Sequence, residues 1–198
     1  MVKAVNIVVG VFGHKGDGKT TTLTLFLWLE YQFGIMKHSF SNYKLKFPFD
    51  WLKGNDMIEL TSKLDDSVIG IDELQQYADS RDSLTLQNKR VSNFFLQSRH
   101  TNSNIYYSTQ FKDQIDKRIQ RITDIDIVTK NMYIDSDNDG DDDIFKLTIV
   151  DRRTNSAKTT LFYAKPVFDL FDSRERINPF IFTEEEALEW KKNIPRRI

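Results

Sequence analysis

Strand and helix signals alternate along the chain and predict an α/β fold: a mainly parallel sheet flanked by helices, followed by a more strand-rich C-terminal part. Three stretches carry that reading. An apolar run rich in β-branched residues, Val5 to Phe12, passes through a glycine-rich turn into a helical pattern. A short apolar run, "VIGI", ends in two acids. A third run, "NIYYSTQ", ends in a glutamine.

Taken in order, Val5 to Phe12 reads as a buried strand, and Thr21 to Phe33 has apolar residues at helical spacing. "HSFSNYKLKF", His38 to Phe47, reads as a second strand, and Asp56 to Leu64 as a short helix. "DSVIGIDELQQ" supplies a brief buried strand. From Ser83 to Arg99 a helix is expected, with Leu84, Val91 and Phe95 on one face, Asn88 interrupting the stripe, and Lys89 and Arg90 pointing elsewhere. Asn104 to Gln110 is the next strand, and a polar helix should run from Phe111 to about Ile122. Strands follow near Asp126 to Ile134, Ile144 to Val150 and Thr159 to Ala164, with "DRRTNSAK" as a hairpin turn. The last segment, from Thr183, reads as a capped amphipathic helix with a basic tail.

A chain of 198 residues that is 39% hydrophobic supports one domain, with a core over about 1–130 and the C-terminal strands and helix over 131–198. A formal net charge of −1 gives no global pull toward nucleic acid, so such binding would need a local basic patch or a ring of subunits. The absence of cysteine excludes disulfides, cysteine-zinc sites and thiol catalysis, and fits a reducing interior. No apolar run reaches the roughly 20 residues a membrane span needs. The chain reads as soluble and intracellular.

Gly13 to Thr20 spells G-x-x-x-x-G-K-T, the Walker A pattern, and it stands in the required order of strand, loop and helix. Backbone N–H groups of Gly13, His14, Lys15, Gly16, Asp17, Gly18, Lys19, Thr20 and Thr21 should surround a nucleotide's phosphates at the helix start. Lys19 should reach the β- and γ-phosphates, and the Thr20 hydroxyl should ligate Mg²⁺. "VIGIDE" matches Walker B: Asp72 would hold the Mg²⁺, and Glu73 would orient and polarise the attacking water. Gln110, at the end of a neighbouring strand, reads either as a γ-phosphate sensor or as a polar strand terminus that begins a loop. ATP and Mg²⁺ are therefore the expected ligands.

"GHKGDGKT", "VIGIDE" and "SRHTNSNIYYSTQ", in that order, resemble the DNA-pumping ATPases of the FtsK/HerA superfamily. The likeness is strongest to the compact genome-packaging ATPases of viruses with double-jelly-roll capsids, archaeal turreted icosahedral viruses among them. It spans roughly Val5 to Arg121 and leaves the C-terminal third unaccounted for. The resemblance implies a RecA-like P-loop NTPase of the ASCE class that forms rings, usually hexamers, and translocates double-stranded DNA into a preformed capsid. It further implies contacts with capsid or portal-vertex proteins, in the host cytoplasm or at the virion or procapsid vertex. An arginine just before the glutamine-ended strand acts across the subunit boundary in that family, and Arg99 occupies that place; Arg81 is the runner-up. His14 and Lys15 depart from the small polar residues usual in that loop.

Candidate DNA contacts are Lys112, Lys117, Arg118 and Arg121, just after the sensor strand, although Asp113 and Asp116 make a mixed-charge solvated helix an equal reading. The tract "DSDNDGDDD" opens like an EF-hand, but its twelfth position is Lys146 and its flanks read as strands, so an acidic hairpin loop is expected. Two other functions compete with the ring motor. A ParA-like regulatory ATPase would place its extra lysine five residues before the loop lysine, whereas Lys15 precedes Lys19 by four. A small-molecule kinase would need an acceptor pocket and an arginine-bearing lid that the sequence does not display.

Overall fold

The computed structural model describes residues 6–59, 62–82, 84–132 and 144–172. The acidic tract 135–143 and the helix expected from Thr183 lie outside them.

The first strand, β1 (Val8–Phe12), alternates its side chains between the two faces of the sheet. Val8 and Phe12 enter one apolar cluster, and Val9 and Val11 the other. The same alternation recurs in β4 (Ser67–Ile71), where Ile69 and Ile71 oppose Val68, and in β5 (Asn104–Thr109), where Ile105 and Tyr107 oppose Tyr106. A strand apolar on both faces must be covered on both, and helices do this. Helix α1 (Lys19–Gln32) lies on one face through Leu23 and Leu27. Helices α2 (Gly54–Glu59), α3 (Leu86–Gln97) and α4 (Lys117–Ile122) cover the other through Met57, Val91, Phe94, Phe95 and Ile119.

Eight strands form one sheet among the described residues, in the order β3-β2-β4-β5-β1-β6-β7-β8. Here β2 is His38–Ser41, β3 Asp50–Trp51, β6 Ile125–Asn131, β7 Ile144–Asp151 and β8 Ser156–Tyr163. The strands from β3 to β6 run parallel, and β7 and β8 add an antiparallel extension. The fold is thus the predicted α/β P-loop architecture, with its strand-rich C-terminal part joined to the same sheet. Between β1 and β4, the two strands that lead into the Walker motifs, lies β5, the glutamine-ended strand. No helix among the described residues is long and apolar enough to cross a membrane.

Four local differences from the sequence reading have identifiable causes. The second strand stops at Ser41 because Asn42 turns its side chain onto the backbone of Asp72, accepting its N–H at 2.8 Å and donating to its carbonyl at 2.9 Å. The segment 111–122 is not one helix. Ile115 forms an isolated bridge with Asp79, the Asp116 N–H donates to the Ala78 carbonyl at 3.1 Å, and the Asp116 side chain then caps α4. Leu84 does not join the buried stripe of α3, since Thr85 caps that helix by accepting the Asn88 N–H, which leaves Leu84 outside and exposed. A short helix, α5 (Lys165–Phe168), was not legible as such; its Val167 packs with α1's face.

Candidate functional site

The phosphate loop follows β1 directly and ends on the first residue of α1, so the free N–H groups of that helix face the loop's concavity. Gly18 supplies the turn. Its φ is +76°, and a Cβ there would lie 2.4 Å from the ring of Phe145, so both the backbone angle and the space demand glycine. Inside the loop, the Asp17 carboxylate accepts the His14 N–H at 2.8 Å, while the Asp17 carbonyl accepts the Thr129 hydroxyl at 2.8 Å. These bonds tie the loop to itself and to β6. The Lys19 ammonium is buried and donates to the His14 carbonyl at 3.0 Å, across the mouth of the loop. Lys15, Gly16, Gly18, Lys19, Thr20 and Thr21 all line one cleft of about 930 Å³.

Asp72 and Glu73 face the same cleft from the end of β4. Asp72 is 3% exposed, and the Thr20 hydroxyl donates to its Oδ2 at 2.8 Å. The Ser108 hydroxyl donates to the other oxygen and accepts the Glu73 N–H at 3.0 Å. Burial raises the Asp72 carboxyl above the usual carboxylate range; the Ser108 and Thr20 hydroxyls act against that, and the neighbouring Glu73 charge adds to it. Glu73 adopts a left-handed backbone, φ 53°, unusual outside glycine. That turn carries its side chain off the strand line, where the Gln75 amide holds it by a hydrogen bond.

Gln110 lines the cleft beside Glu73, from the end of β5. The residue after it, Phe111, packs edge-on against His14 with ring centroids 5.4 Å apart, so the segment after β5 touches the phosphate loop. Lys15, Gly16, Gly18, Lys19, Thr20 and Thr21 of the Walker A stretch therefore share one cleft with Asp72, Glu73 and Gln110, while Gly13, His14 and Asp17 do not line it. Arg99 does not join them. It stands at the other end of β5, where its backbone carbonyl accepts the Asn6 amide at 3.1 Å, and its side chain is 72% exposed with only a 3.7 Å approach to Asp124. Arg81 is ion-paired with Asp79 at 2.6 Å. Of the candidate DNA contacts, Lys112 pairs with Asp126 at 2.6 Å and Arg118 with Asp116 at 2.6 Å, while Lys117 and Arg121 have no ion pair among the described residues.

Sequence reasoning missed three groups. Ser108 bridges both acids; its spacing of two from Gln110 puts it on the same strand face, which was the available signal. Asn42 pins the backbone of Asp72 from the neighbouring strand end. Phe145, Phe168 and Phe171 form an aromatic wall opposite the acids, assembled from β7 and the chain around α5, and no local pattern announces it.

No protein-family profile matches the chain, and no curated protein matches it significantly. Solved structures do. The N-terminal domain of zonular occludens toxin from Neisseria meningitidis is 18% identical, with a TM-score of 0.65, over 84% of this chain and 98% of that one. The genome-packaging NTPase B204 from Sulfolobus turreted icosahedral virus 2, in complex with ATP-γS, is 13% identical with a TM-score of 0.56, over 77% of this chain and 95% of that one. B204 from Sulfolobus turreted icosahedral virus, described as a DNA-packaging ATPase, is 16% identical with a TM-score of 0.54, over 79% and 97%. The structural neighbours thus include the packaging NTPases that the motifs resemble, and this chain shares their P-loop NTPase fold.

Proposed function

We propose that the chain is a Mg²⁺-dependent ATPase that works as a ring and moves double-stranded DNA into a preformed viral capsid. The observation that carries the enzymatic part is the convergence of Lys19, Thr20, Asp72, Glu73 and Gln110 on one cleft. Hard oxygen donors fit Mg²⁺, which binds through one or two protein oxygens plus substrate phosphates. The Thr20 hydroxyl and Asp72 carboxylate, 2.8 Å apart, form such a pair. This suits a shared ion better than a protein cage, and among the described residues no group of three or more His, Asp or Glu side chains forms one. When bound, the ion would neutralise charge on the β- and γ-phosphate oxygens.

The chain's own residues do the rest. Backbone N–H groups of the loop and the Lys19 ammonium hold the phosphates. Gln110 orients a water, and the Glu73 carboxylate takes its proton as the oxygen bonds to the γ-phosphorus and the bond to the bridging oxygen breaks, releasing ADP and phosphate. Support for Arg99 acting in a neighbour's site comes from its position. The six residues of β5 put roughly 20 Å between the Arg99 end of the strand and the Gln110 end, so Arg99 is out of reach of its own cleft. A ring brings the two edges together.

The DNA-moving part rests on the packaging NTPases among the structural neighbours and on exposed basic groups after the sensor strand, Lys117 foremost. Partners would be duplex DNA, further copies of this chain and capsid or portal-vertex proteins, in the host cytoplasm or at the capsid vertex. Turnover measured with and without long duplex DNA tests this. Stimulation by duplex, with affinity falling steeply with salt and indifferent to sequence, is the expected result. Removing charge at Lys117 and Arg118 should flatten the salt slope. Turnover unaffected by DNA but raised by a protein partner or a small phosphate acceptor would contradict the motor and favour a regulatory ATPase or a kinase.

A further inference from the structure

A second cavity, of about 360 Å³, opens at the edge of the sheet away from the phosphate loop, where β1 and β6 begin. Four guanidinium groups line it: Arg99 after α3, Arg121 at the end of α4, and Arg152 and Arg153 in the β7–β8 turn. A single carboxylate, Asp124, lines it with them, and that carboxylate already accepts the Val8 N–H at 2.9 Å. Segments far apart in sequence have thus been brought together as one concave surface rich in arginine, where Asp124, Asp126 and Asp151 offset part of the like-charge repulsion.

The four arginines are not equivalent. Arg152 is fixed in place: it donates to the Asp126 carboxylate at 2.8 Å, to the Thr123 carbonyl at 3.2 Å and to the Gln120 carbonyl at 2.5 Å. It forms the floor. Arg153 pairs with Asp151 at 2.8 Å but remains 41% exposed, and Arg121 is exposed with no ion pair among the described residues. Arg99, Arg121 and Arg153 are thus more exposed than Arg152, with Arg153 held by two hydrogen bonds to Asp151. The rest of the lining mixes the apolar side chains of Val8, Phe95, Leu96 and Ile122 with the polar Ser98 and Thr123, and Leu96 is 47% exposed.

We infer that this pocket receives the terminal phosphates of a nucleotide held in the adjacent subunit, with Arg121 and Arg153 as positioning residues that act beside Arg99. This rests on the proposed ring ATPase and extends it from one finger to a built receptor. The pocket's size suits a phosphate chain, whereas a duplex backbone is tracked by an extended groove. Its half-apolar rim suits burial against protein. Head-to-tail packing sets the N-terminal edge of one subunit against the nucleotide cleft of the next, and this heterologous contact is the kind that closes into rings. Planar guanidiniums recognise phosphate oxygens with paired N–H groups, and several of them can share the charge that accumulates during transfer.

The test uses Arg121→Gln and Arg153→Gln in the full chain, read as kcat and KM for ATP without DNA, with ATP-γS binding as the check that the subunit's own cleft is intact. The inference expects ATP-γS binding within about threefold of the parent and kcat at least tenfold lower. Mixing either variant with Lys19→Ala subunits should restore part of the turnover. Unchanged kcat in both variants, while Arg99→Ala is inactive and rescued by mixing, would overturn the pocket but spare the ring. Lost kcat that mixing never restores, in rings shown to form, would assign these arginines to their own subunit and overturn it. A loss confined to DNA affinity, with DNA-free turnover intact, would make the pocket a DNA contact and overturn it as well. Parent turnover independent of protein concentration would instead contradict the ring reading beneath it.

Discussion

At Asp72 the chain buries a carboxylate among the Thr20 and Ser108 hydroxyls, at a desolvation cost that a bound cation would offset. Its raised pKa means the native state holds the proton more tightly than the unfolded chain does. Its contribution to stability is therefore present below the ordinary carboxylate range and is lost as pH rises through the raised value. Asp72→Asn should raise the metal-free melting temperature at neutral pH and flatten that part of the pH profile. It should also abolish hydrolysis. A lower melting temperature would mean that the hydrogen bonds to the charged form outweigh its burial. Glu73→Gln should keep nucleotide affinity while turnover falls about 10²- to 10⁴-fold, and Lys19→Ala should lose affinity first. Near-normal turnover in Glu73→Gln would remove its role as base. Lys19 was legible because the phosphate loop fixes spacing along one strand–loop–helix, and Asp72 and Glu73 because they end an apolar strand downstream of it. Ser108 and Asn42 were not, because their roles depend on which strand lies beside β4, and that pairing leaves no local mark.

Among the elements, β4 and α1 pack closely at Gly70. A Cβ on Gly70 would lie 2.4 Å from a methyl of Leu27, which is itself 1% exposed. Gly70→Ala should destabilise by about 1–3 kcal/mol, the usual cost of overpacking, and Leu27→Val should recover part of it. Thermal or denaturant melts of the single and double variants decide this; a neutral Gly70→Ala would show that α1 can shift outward. Apart from the two-residue β3, the strands were readable from apolar runs bounded by turns, and the β7–β8 hairpin from "DRRTNSAK", where Asp151 pairs with Ser156 across the turn. What escaped was where elements stop. The break at Ile115 and Asp116 is imposed by the segment after β4, Ala78 and Asp79, a contact that residues 111–122 cannot announce.

For the whole molecule, the two ends of the sheet are chemically complementary. One edge holds the cleft with Lys19, Asp72, Glu73 and Gln110; the other holds Arg99 with Arg121, Arg152 and Arg153. On the proposed ring mechanism each edge supplies part of one phosphoryl-transfer site, so hydrolysis should rise steeply with protein concentration as subunits assemble. The most direct measurement mixes two inactive proteins, Lys19→Ala and Arg99→Ala, into common rings and follows ATP turnover. With equal, random mixing, half the subunits keep a working loop and half of those have a neighbour that supplies Arg99, so about a quarter of the sites should be complete and activity should return. If mixed rings form and turnover stays at the level of the separate variants, Arg99 is not supplied across the subunit boundary, and the shared active site is contradicted.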